Sequence, residues 1–509
     1  MEGNGRSPPE EDITAPLILS VDETIEQSIG PLNWTQILQI ILVSLPTFFD
    51  SQQTFISVFA HKQPTWHCTT NNASCTSDSN ICDLPNTDWA WNSGNVHTSI
   101  ISEWDLECAS SLFAGMPSTS YFVGCFLGGL LLATLGDSSL GRKKLLCISS
   151  LAMSVAAFAS AFSPNIWVYS VCRFLCGAGR APVAICVLVL LTERVSKKWR
   201  AQAAMVGFAS FSLGILGLTG IAFLTRGLSW RNLYLWTSIP GIVSSVLCYV
   251  FVLESPRWLF MQGRENDAMT VLRSLRSNTL VSPSLPKLVN IEHQLPKTNP
   301  FISLKILLGK RWAVKRLLAS MMLAFGIGLM YFGMFLGVGN LGFDIYLSSI
   351  FNALLSLSSY ALTFLWWIQH CNRKTSLLGF CTISGATCII FSILGTGHAY
   401  IFIGLELVSL FCACMAYNLV LMYMVELFST CVRNSATSLV RQAMILGSVF
   451  DPMLIQLGRT NIIYSYGIFG LTMLLCGFLA LCLPETRGKV LCDTMEEQEF
   501  IDDDRKLVY

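Results

Sequence analysis

Residues 167–200 read WVYSVCRFLCGAGRAPVAICVLVLLTERVSKKWR. About 25 of these residues are apolar enough to cross a bilayer, whose core needs ~20 helical residues. The span nevertheless carries Arg173 and Arg180. An ionised group in hydrocarbon is costly and normally faces a partner or a watery cavity. A spacing of seven is about two helical turns, so both arginines lie on one face. The span ends in a charged elbow, Glu193-x6-Arg200.

The elbow occurs twice. Glu426-x6-Arg433 repeats it at an offset of 233, again directly after an apolar run. Gly141-Arg142-Lys143 is echoed by Asn372-Arg373-Lys374 at an offset of 231. Glu254-Ser255-Pro256-Arg257 is echoed by Pro484-Glu485-Thr486-Arg487, with Arg257 and Arg487 at an offset of 230. Three landmarks at nearly one offset predict two homologous halves. An even number of spans in each half gives both the same membrane orientation.

Composition agrees with a polytopic membrane protein. Hydrophobic residues make up 52% and charged residues 13%, against ~25% charged in soluble domains. A formal net charge of +1 points away from nucleic acid. Twelve apolar runs lie at 36–59, 112–135, 145–162, 166–191, 203–223, 233–252, 317–335, 343–366, 377–395, 399–425, 436–457 and 462–483. The expected class is all-α, twelve transmembrane helices in two six-helix halves. Lysine and arginine crowd one set of loops, which places both termini in the cytosol. The domains follow: a cytosolic tail 1–33, a first half 34–252, a central loop 253–316, a second half 317–483 and an acidic tail 484–509. Ala268, Val271, Leu272 and Leu275 mark a short amphipathic helix in the centre. The tail after Gly488 is expected to be mobile.

Loop 61–111 falls on the opposite side. It holds Cys68, Cys75, Cys82 and Cys108, an even number in an oxidising compartment. Two disulfides are expected, in any of three connectivities. Asn72-Ala73-Ser74 is a glycosylation sequon on the correct side.

No enzyme motif emerges. Gly136-x4-Gly141-Arg142-Lys143 imitates a phosphate loop but lacks the Lys-Ser/Thr pair and a preceding strand. Neither HExxH nor GxSxG is present. No metal or cofactor is expected. Ten charges stand at cytosolic span ends: Asp137, Arg142, Glu193, Arg200, Glu254, Arg257, Glu426, Arg433, Glu485 and Arg487. They are expected to form a cytosolic gate, pairing across the halves in one conformation and separating in another. Static anchoring by positive-inside charge is the plainer alternative. Inside the membrane the chain places Asp50, Arg173, Arg180, Glu406, Arg441 and Asp451. Tyr331, Phe332, Tyr417 and Tyr423 offer π-faces to an organic cation. The substrate path is expected to include Gln53, Arg180, Tyr331, Glu406, Tyr417, Asn418 and Asp451.

Glu103-Trp104-Asp105-Leu106-Glu107-Cys108 resembles the EWDL-C signature of the organic cation and organic anion transporters of the major facilitator superfamily. Glu254-Ser-Pro-Arg-Trp-Leu259 and Pro484-Glu-Thr-Arg-Gly488 agree with it. Phe48-Phe-Asp-Ser-Gln-Gln-Thr-Phe-Ile56, Gly177-Ala-Gly-Arg180 and Trp230-Arg-Asn-Leu-Tyr-Leu-Trp-Thr-Ser-Ile-Pro240 resemble the plant organic cation/carnitine transporters more closely still. The loop at Asp137-Ser-Ser-Leu-Gly141 departs from the usual D-R-x-G-R-R/K, and the second copy has Asn372 and Gln369 for its glycine and acid. In animal relatives a charged residue in span 11 is linked to substrate sign. Ile445 stands there, with Asp451 nearby.

The resemblance implies a transporter for small organic cations or zwitterions of the carnitine, choline or polyamine type, functional as a monomer. A proton-coupled sugar transporter and a non-transporting sensor are the competing readings. Protons are a candidate second substrate. Asp50 is ~20 Å from the cytosolic end of its span and ~10 Å from the outer surface, level with Arg173. Proton-coupled sugar transporters carry an aspartate and an arginine at these places, so Asp50 and Arg173 are expected to be a coupled pair. Leu17-Ile18 follows Asp12 by five residues, one more than a dileucine sorting signal prefers. Vacuolar membrane and plasma membrane both fit.

Overall fold

Pro46, Pro117, Pro182, Pro240 and Pro452 all stand within apolar runs, yet each run forms a helix long enough to span a bilayer. The computed structural model describes Ile29, 32–69, Cys75, 81–85, 87–92, 96–132, 140–275, 300–340, 343–394, 399–459, 462–487, Cys492 and 495–500. Twelve long helices occur among these residues: α1 Trp34–Phe55, α2 Ser111–Leu132, α3 Arg142–Ser160, α4 Ile166–Glu193, α5 Arg200–Leu224, α6 Trp230–Phe251, α7 Arg311–Leu336, α8 Ile345–Trp367, α9 Arg373–Leu394, α10 Ala399–Leu427, α11 Thr430–Gly458 and α12 Ile462–Phe478. Ten are long and apolar enough to cross a membrane by length and composition alone. The other two, α1 and α2, have 22 residues each, ~33 Å at the helical rise. Polar residues on α1 lower its hydropathy. Those residues serve packing and the interior.

Two spans are interrupted by residues outside the helical run. α4 breaks at Ala181–Pro182, between segments Ile166–Arg180 and Val183–Glu193. α11 breaks at Val449–Phe450, before Pro452. Proline removes a backbone donor and clashes with the preceding turn, which is the usual cause of such breaks.

Helices approach closely where glycine removes the side chain. A Cβ on Gly124 of α2 would lie 2.1 Å from the Phe174 carbonyl oxygen, and one on Gly177 of α4 would lie 2.0 Å from that of Tyr121. These contacts are reciprocal, the small-residue seam expected of helices packed in lipid. The halves meet along two seams. α5 lies on α8, where Ser212 Oγ donates to Ser356 Oγ at 2.9 Å and Phe208 stacks on Tyr360. α2 lies on α11, with Gly115 against the Pro452 carbonyl and Gly129 against Gln442.

One face of the bundle carries the loop between α1 and α2 and is termed the loop face. Strands β1 Trp66–Cys68 and β2 Trp89–Trp91 form an antiparallel pair there, with Trp66 opposite Trp91. Disulfides join Cys68 to Cys75 and Cys82 to Cys108. Asn72 lies outside the described residues, as does Asp137. The other face, the elbow face, carries helix Glu265–Leu275, with Ala268, Leu272 and Leu275 buried as their spacing predicts. The final tail departs from expectation. Residues 495–500 are helical. Gln498 accepts from Ser429 N at 3.1 Å and donates to Leu427 O at 2.8 Å, and Glu499 pairs with Lys310 at 2.7 Å. An acidic segment holds this place because its amide caps backbone groups left unpaired between α10 and α11.

Candidate functional site

Helix α1 turns a polar face inward: Thr47, Asp50, Ser51, Gln53 and Thr54 are all buried. Asp50 is 1% exposed and forms an ion pair through Oδ1 with Arg180 Nε of α4. Thr54 Oγ1 lies 3.4 Å from Asp50 Oδ1 and 2.9 Å from the Tyr121 hydroxyl. Arg173 has other partners. Its Nη2 donates to the Gln53 carbonyl at 2.9 Å, and its guanidinium sits 4.3 Å over the Tyr121 ring and 5.9 Å from that of Tyr234. The expected Asp50–Arg173 pair is therefore corrected to Asp50–Arg180. The reason is depth. The chain stays helical through Ser57–Ala60, so Asp50 lies ten residues, ~15 Å, from that end rather than ~10 Å. It meets the deeper arginine, and the Gln53 carbonyl, nearly one turn above, meets the shallower one.

An aromatic wall from the second half faces this pair. Phe332 of α7 has the Arg180 guanidinium 6.0 Å from its ring. Around Phe332 stand Phe55 at 6.2 Å, Phe122 at 5.6 Å, Tyr331 at 5.1 Å and Tyr417 at 6.2 Å. Tyr331 and Tyr417 stack at 4.2 Å. Arg441 of α11 is half-buried and close enough to interact with Tyr417, Arg180 and Asp50. Asn418 faces sideways, donating to Ser359 Oγ of α8 at 3.1 Å. Carboxylate, guanidinia and π-faces thus converge where the halves meet, an environment suited to a charged organic molecule with one cationic end.

Two other candidates stand apart in their contacts. Glu406 of α10 is 3% exposed, and its hydrogen bond is from Asn352 Nδ2 of α8 at 3.4 Å. Asp451 is fully buried, and neither carboxylate oxygen has a hydrogen-bond partner among the described residues. Thr54, within the Phe48–Ile56 motif, joins these sites, as do Tyr121 and Asn352, which no motif marks. For two of them a signal does exist, since Tyr121 and Asn352 stand at an offset of 231, within the range of the repeat.

The elbow-face acids Glu193, Glu254, Glu426 and Glu485 accept hydrogen bonds inside their own halves in this conformation. Glu254 accepts from Lys143 N at 3.0 and 3.2 Å, and Glu193 accepts from Ser255 Oγ. The second half repeats the arrangement with two amides in place of one. Glu485 accepts from Arg373 N at 2.9 Å and Lys374 N at 3.0 Å, and Glu426 accepts from Thr486 Oγ1 at 2.7 Å. Glu426 also pairs with Arg373 Nη2 at 3.3 Å. Arg487 donates to Gln369 O at 3.1 Å, and Arg433 to Phe428 O at 3.3 Å. Arg142, Arg200 and Arg257 stand in the first turns of their helices. A carboxylate at a helix start satisfies amides without intrahelical partners and meets the positive end of the dipole. That local demand, met within one half, takes these acids away from cross-half pairing.

The loop face is tied shut across the halves. Arg459 Nη2 donates to the His61 carbonyl at 2.9 Å. Tyr346 stacks on Phe59 at 5.7 Å, with Lys62 5.7 Å over its ring. The Glu103-Trp104 motif clamps the loop onto α6 and α4. Glu103 accepts from Trp230 Nε1 at 2.7 Å and pairs with Arg231 at 2.8 Å, while Trp104 packs on Tyr169 and Trp230. His61, just beyond α1, lies 3.1 Å from the Tyr169 hydroxyl. Burial first, then the charges of Arg173 and Arg459, push its imidazole down to about 3.

The profile of the sugar (and other) transporter family matches residues 40–497. Organic cation/carnitine transporter 3 of Arabidopsis thaliana is 49% identical over 94% of this chain and 94% of its own length. Organic cation/carnitine transporter 2 of the same plant is 48% identical over 95% of this chain and 94% of its own. Among solved structures, the inward-open conformation of the xylose transporter XylE from E. coli superposes with a TM-score of 0.64. It covers 92% of this chain and 99% of that one, at 16% identity, a likeness of fold.

Proposed function

The chain belongs to the sugar (and other) transporter family and, within it, to the plant organic cation/carnitine transporters of the major facilitator superfamily, and from that premise we propose that this secondary transporter carries small organic cations or zwitterions by alternating access. Carnitine, choline and polyamines are the substrate class. The observation that carries this reading is the Asp50–Arg180 pair set against Phe332 and the Tyr331–Tyr417 stack between the halves. A quaternary or primary ammonium group gains a π-face from the tyrosines and a carboxylate from Asp50, whose Oδ2 has no hydrogen-bond partner among the described residues. A substrate carboxylate finds Arg180 and Arg441. Closure at the loop face fits a state in which the path opens toward the elbow face. Asp50 is the coupling residue in this reading, with Arg180 as its partner: separation of the two as the halves rock frees the acid to take a proton.

Loop 61–111 faces the lumen of a vacuole or the cell exterior, with glycan on Asn72, and both termini face the cytosol. The transporter works as a monomer.

Uptake of labelled carnitine, choline, putrescine and glucose into expressing cells tests the reading. At least one of the first three should accumulate, and glucose should not. Tyr417→Ala should reduce uptake about tenfold, the loss of a desolvated cation–π contact and its packing. Asp50→Asn should abolish stimulation of uptake by external acid. Accumulation of none of the four would favour a sensor; pH-independent uptake by the parent would make the protein a uniporter.

A further inference from the structure

The two halves correspond residue by residue around Arg173. Tyr121 corresponds to Asn352, Arg173 to Glu406 and Tyr234 to Tyr466, at offsets of 231, 233 and 232. Gly214 and Gly447, at an offset of 233, confirm the register: a Cβ on either would strike a phenylalanine carbonyl, Phe48 at 2.1 Å or Phe325 at 2.3 Å. In the first half Arg173 contacts Tyr121 and Tyr234. In the second half Glu406 contacts Asn352 and interacts with Tyr466. The same place in the fold thus holds a built-in cation in one half and a carboxylate in the other.

Among the described residues the carboxylate has no cation beside it. The groups interacting with Glu406 are Asn352 of α8, the Cys388 thiol of α9, the Cys414 thiol of its own helix and the Tyr466 phenol of α12. Arg441 on α11 interacts with Tyr417, Arg180 and Asp50 instead. A second orphan adjoins it. Asn352 is fully buried, and its Oδ1 has no hydrogen-bond partner among the described residues. Unpaired buried charge costs several kcal/mol, so a carboxylate so placed needs a positive charge from solution during the cycle. All these contacts come from one half. An alkali-metal ion requires more oxygen ligands than the carboxylate, the amide and the Tyr466 phenol supply. A proton requires one.

We propose that Glu406 and Asn352 form a proton-binding site in the second half, separate from the Asp50–Arg180 pair. The inference rests on the transport reading above. Asn352 serves both states of the acid. Its Nδ2 donates to the carboxylate; turned over, its Oδ1 accepts from the carboxylic O–H. Glu406 lies seven residues into α10 from Ala399 and Asn352 seven into α8 from Ile345, so both sit ~10 Å below the loop face. One proton from water at that face adds to the carboxylate, and the same proton leaves to water at the other face. No bond other than O–H forms or breaks at this site, which carries one positive charge across with the substrate.

Purified protein in liposomes decides this. Counterflow of labelled carnitine, choline or putrescine first establishes transport without a gradient; failure of all three refutes the transport reading itself. With the carried compound as probe, an inward proton gradient should drive accumulation by the parent and by Glu406→Asp. Glu406→Gln should lose accumulation about tenfold while counterflow falls no more than about twofold. Parent-level accumulation by Glu406→Gln overturns the proposal. So does accumulation that fails when sodium is replaced by potassium and whose sodium requirement disappears in Glu406→Gln, which makes the ion a metal. Should Glu406→Gln lose counterflow too, the parent is treated with dicyclohexylcarbodiimide, which attacks protonated buried carboxyls. An adduct on Glu406, forming faster in acid, supports the site; no adduct there at any pH refutes it.

Discussion

At the scale of single residues, burial decides what a side chain can contribute. His61 is 7% exposed, and its imidazole is pushed down to about 3 by burial and then by Arg173 and Arg459. An unfolded histidine titrates near ~6.5. Above that pH both states are neutral and stability is complete. Below it the unfolded chain binds a proton that the folded chain refuses, so stability falls as pH drops, by up to ~1.4 kcal/mol per unit down to about 3. The melting temperature in detergent should therefore decline between neutral and acid pH. His61→Gln should flatten that decline, and an equal slope in the variant would assign it to other groups. His61 stays neutral across the working range and so takes no part in transport acid-dependence.

At the scale of elements, glycine and the helix caps hold each half together. Gly177→Ala would drive a methyl onto the Tyr121 carbonyl, which is backbone and cannot rotate away. Helices α2 and α4 must separate, at ~1–3 kcal/mol or more. Folded yield should fall sharply, whereas Gly220→Ala, with open space around it, should be silent. Gly141 has a different task. It adopts φ +82° at the start of α3, where a Cβ would meet Glu254 Oε2 at 2.5 Å. A side chain there would crowd the Glu254 carboxylate that accepts from Lys143 N. Glu254→Gln and Glu485→Gln should each lower stability by ~0.5–2 kcal/mol, since the two caps are copies of one another. Thermal melts of both variants check this, and a large asymmetry would break the equivalence.

At the scale of the whole molecule, contacts among the described residues tie the halves together at the loop face. Arg459 to the His61 carbonyl is the polar tie; Tyr346 between Phe59, Lys62 and Phe223 is the apolar one. Arg459→Ala removes a partly buried charged hydrogen bond, worth ~1.5–3 kcal/mol, so the balance should move toward the state open at the loop face. A cysteine introduced by Val58→Cys, under that closure, should then react several-fold faster with an impermeant maleimide than in the Arg459 background. An unchanged rate would mean that the aromatic contacts alone hold the face closed. The elbow acids cap amides within their own halves here, so their neutralisation should loosen a half before it shifts the balance between states.

Much of this was determined along the chain. Apolar runs of bilayer length, too long for anything but spanning helices, set the class and the twelve spans. Elbow charges at a constant offset revealed the repeat, because each half must solve the same capping problem with the same residues. The Glu103-Trp104 and Phe48–Ile56 motifs pointed to the family. Pairing is different in kind. Whether Asp50 meets Arg173 or Arg180 depends on a few ångströms of depth, set by where α1 stops being helical. Whether Glu254 and Glu485 reach across the halves or cap their own helices depends on which amides lie within hydrogen-bond reach. The choice among disulfides turns on the hairpin that carries Cys68 and Trp89, and the place of Asn352 beside Glu406 on how α8 packs against α10. Periodicity reports which face a residue occupies; only the packed helices decide what stands opposite it.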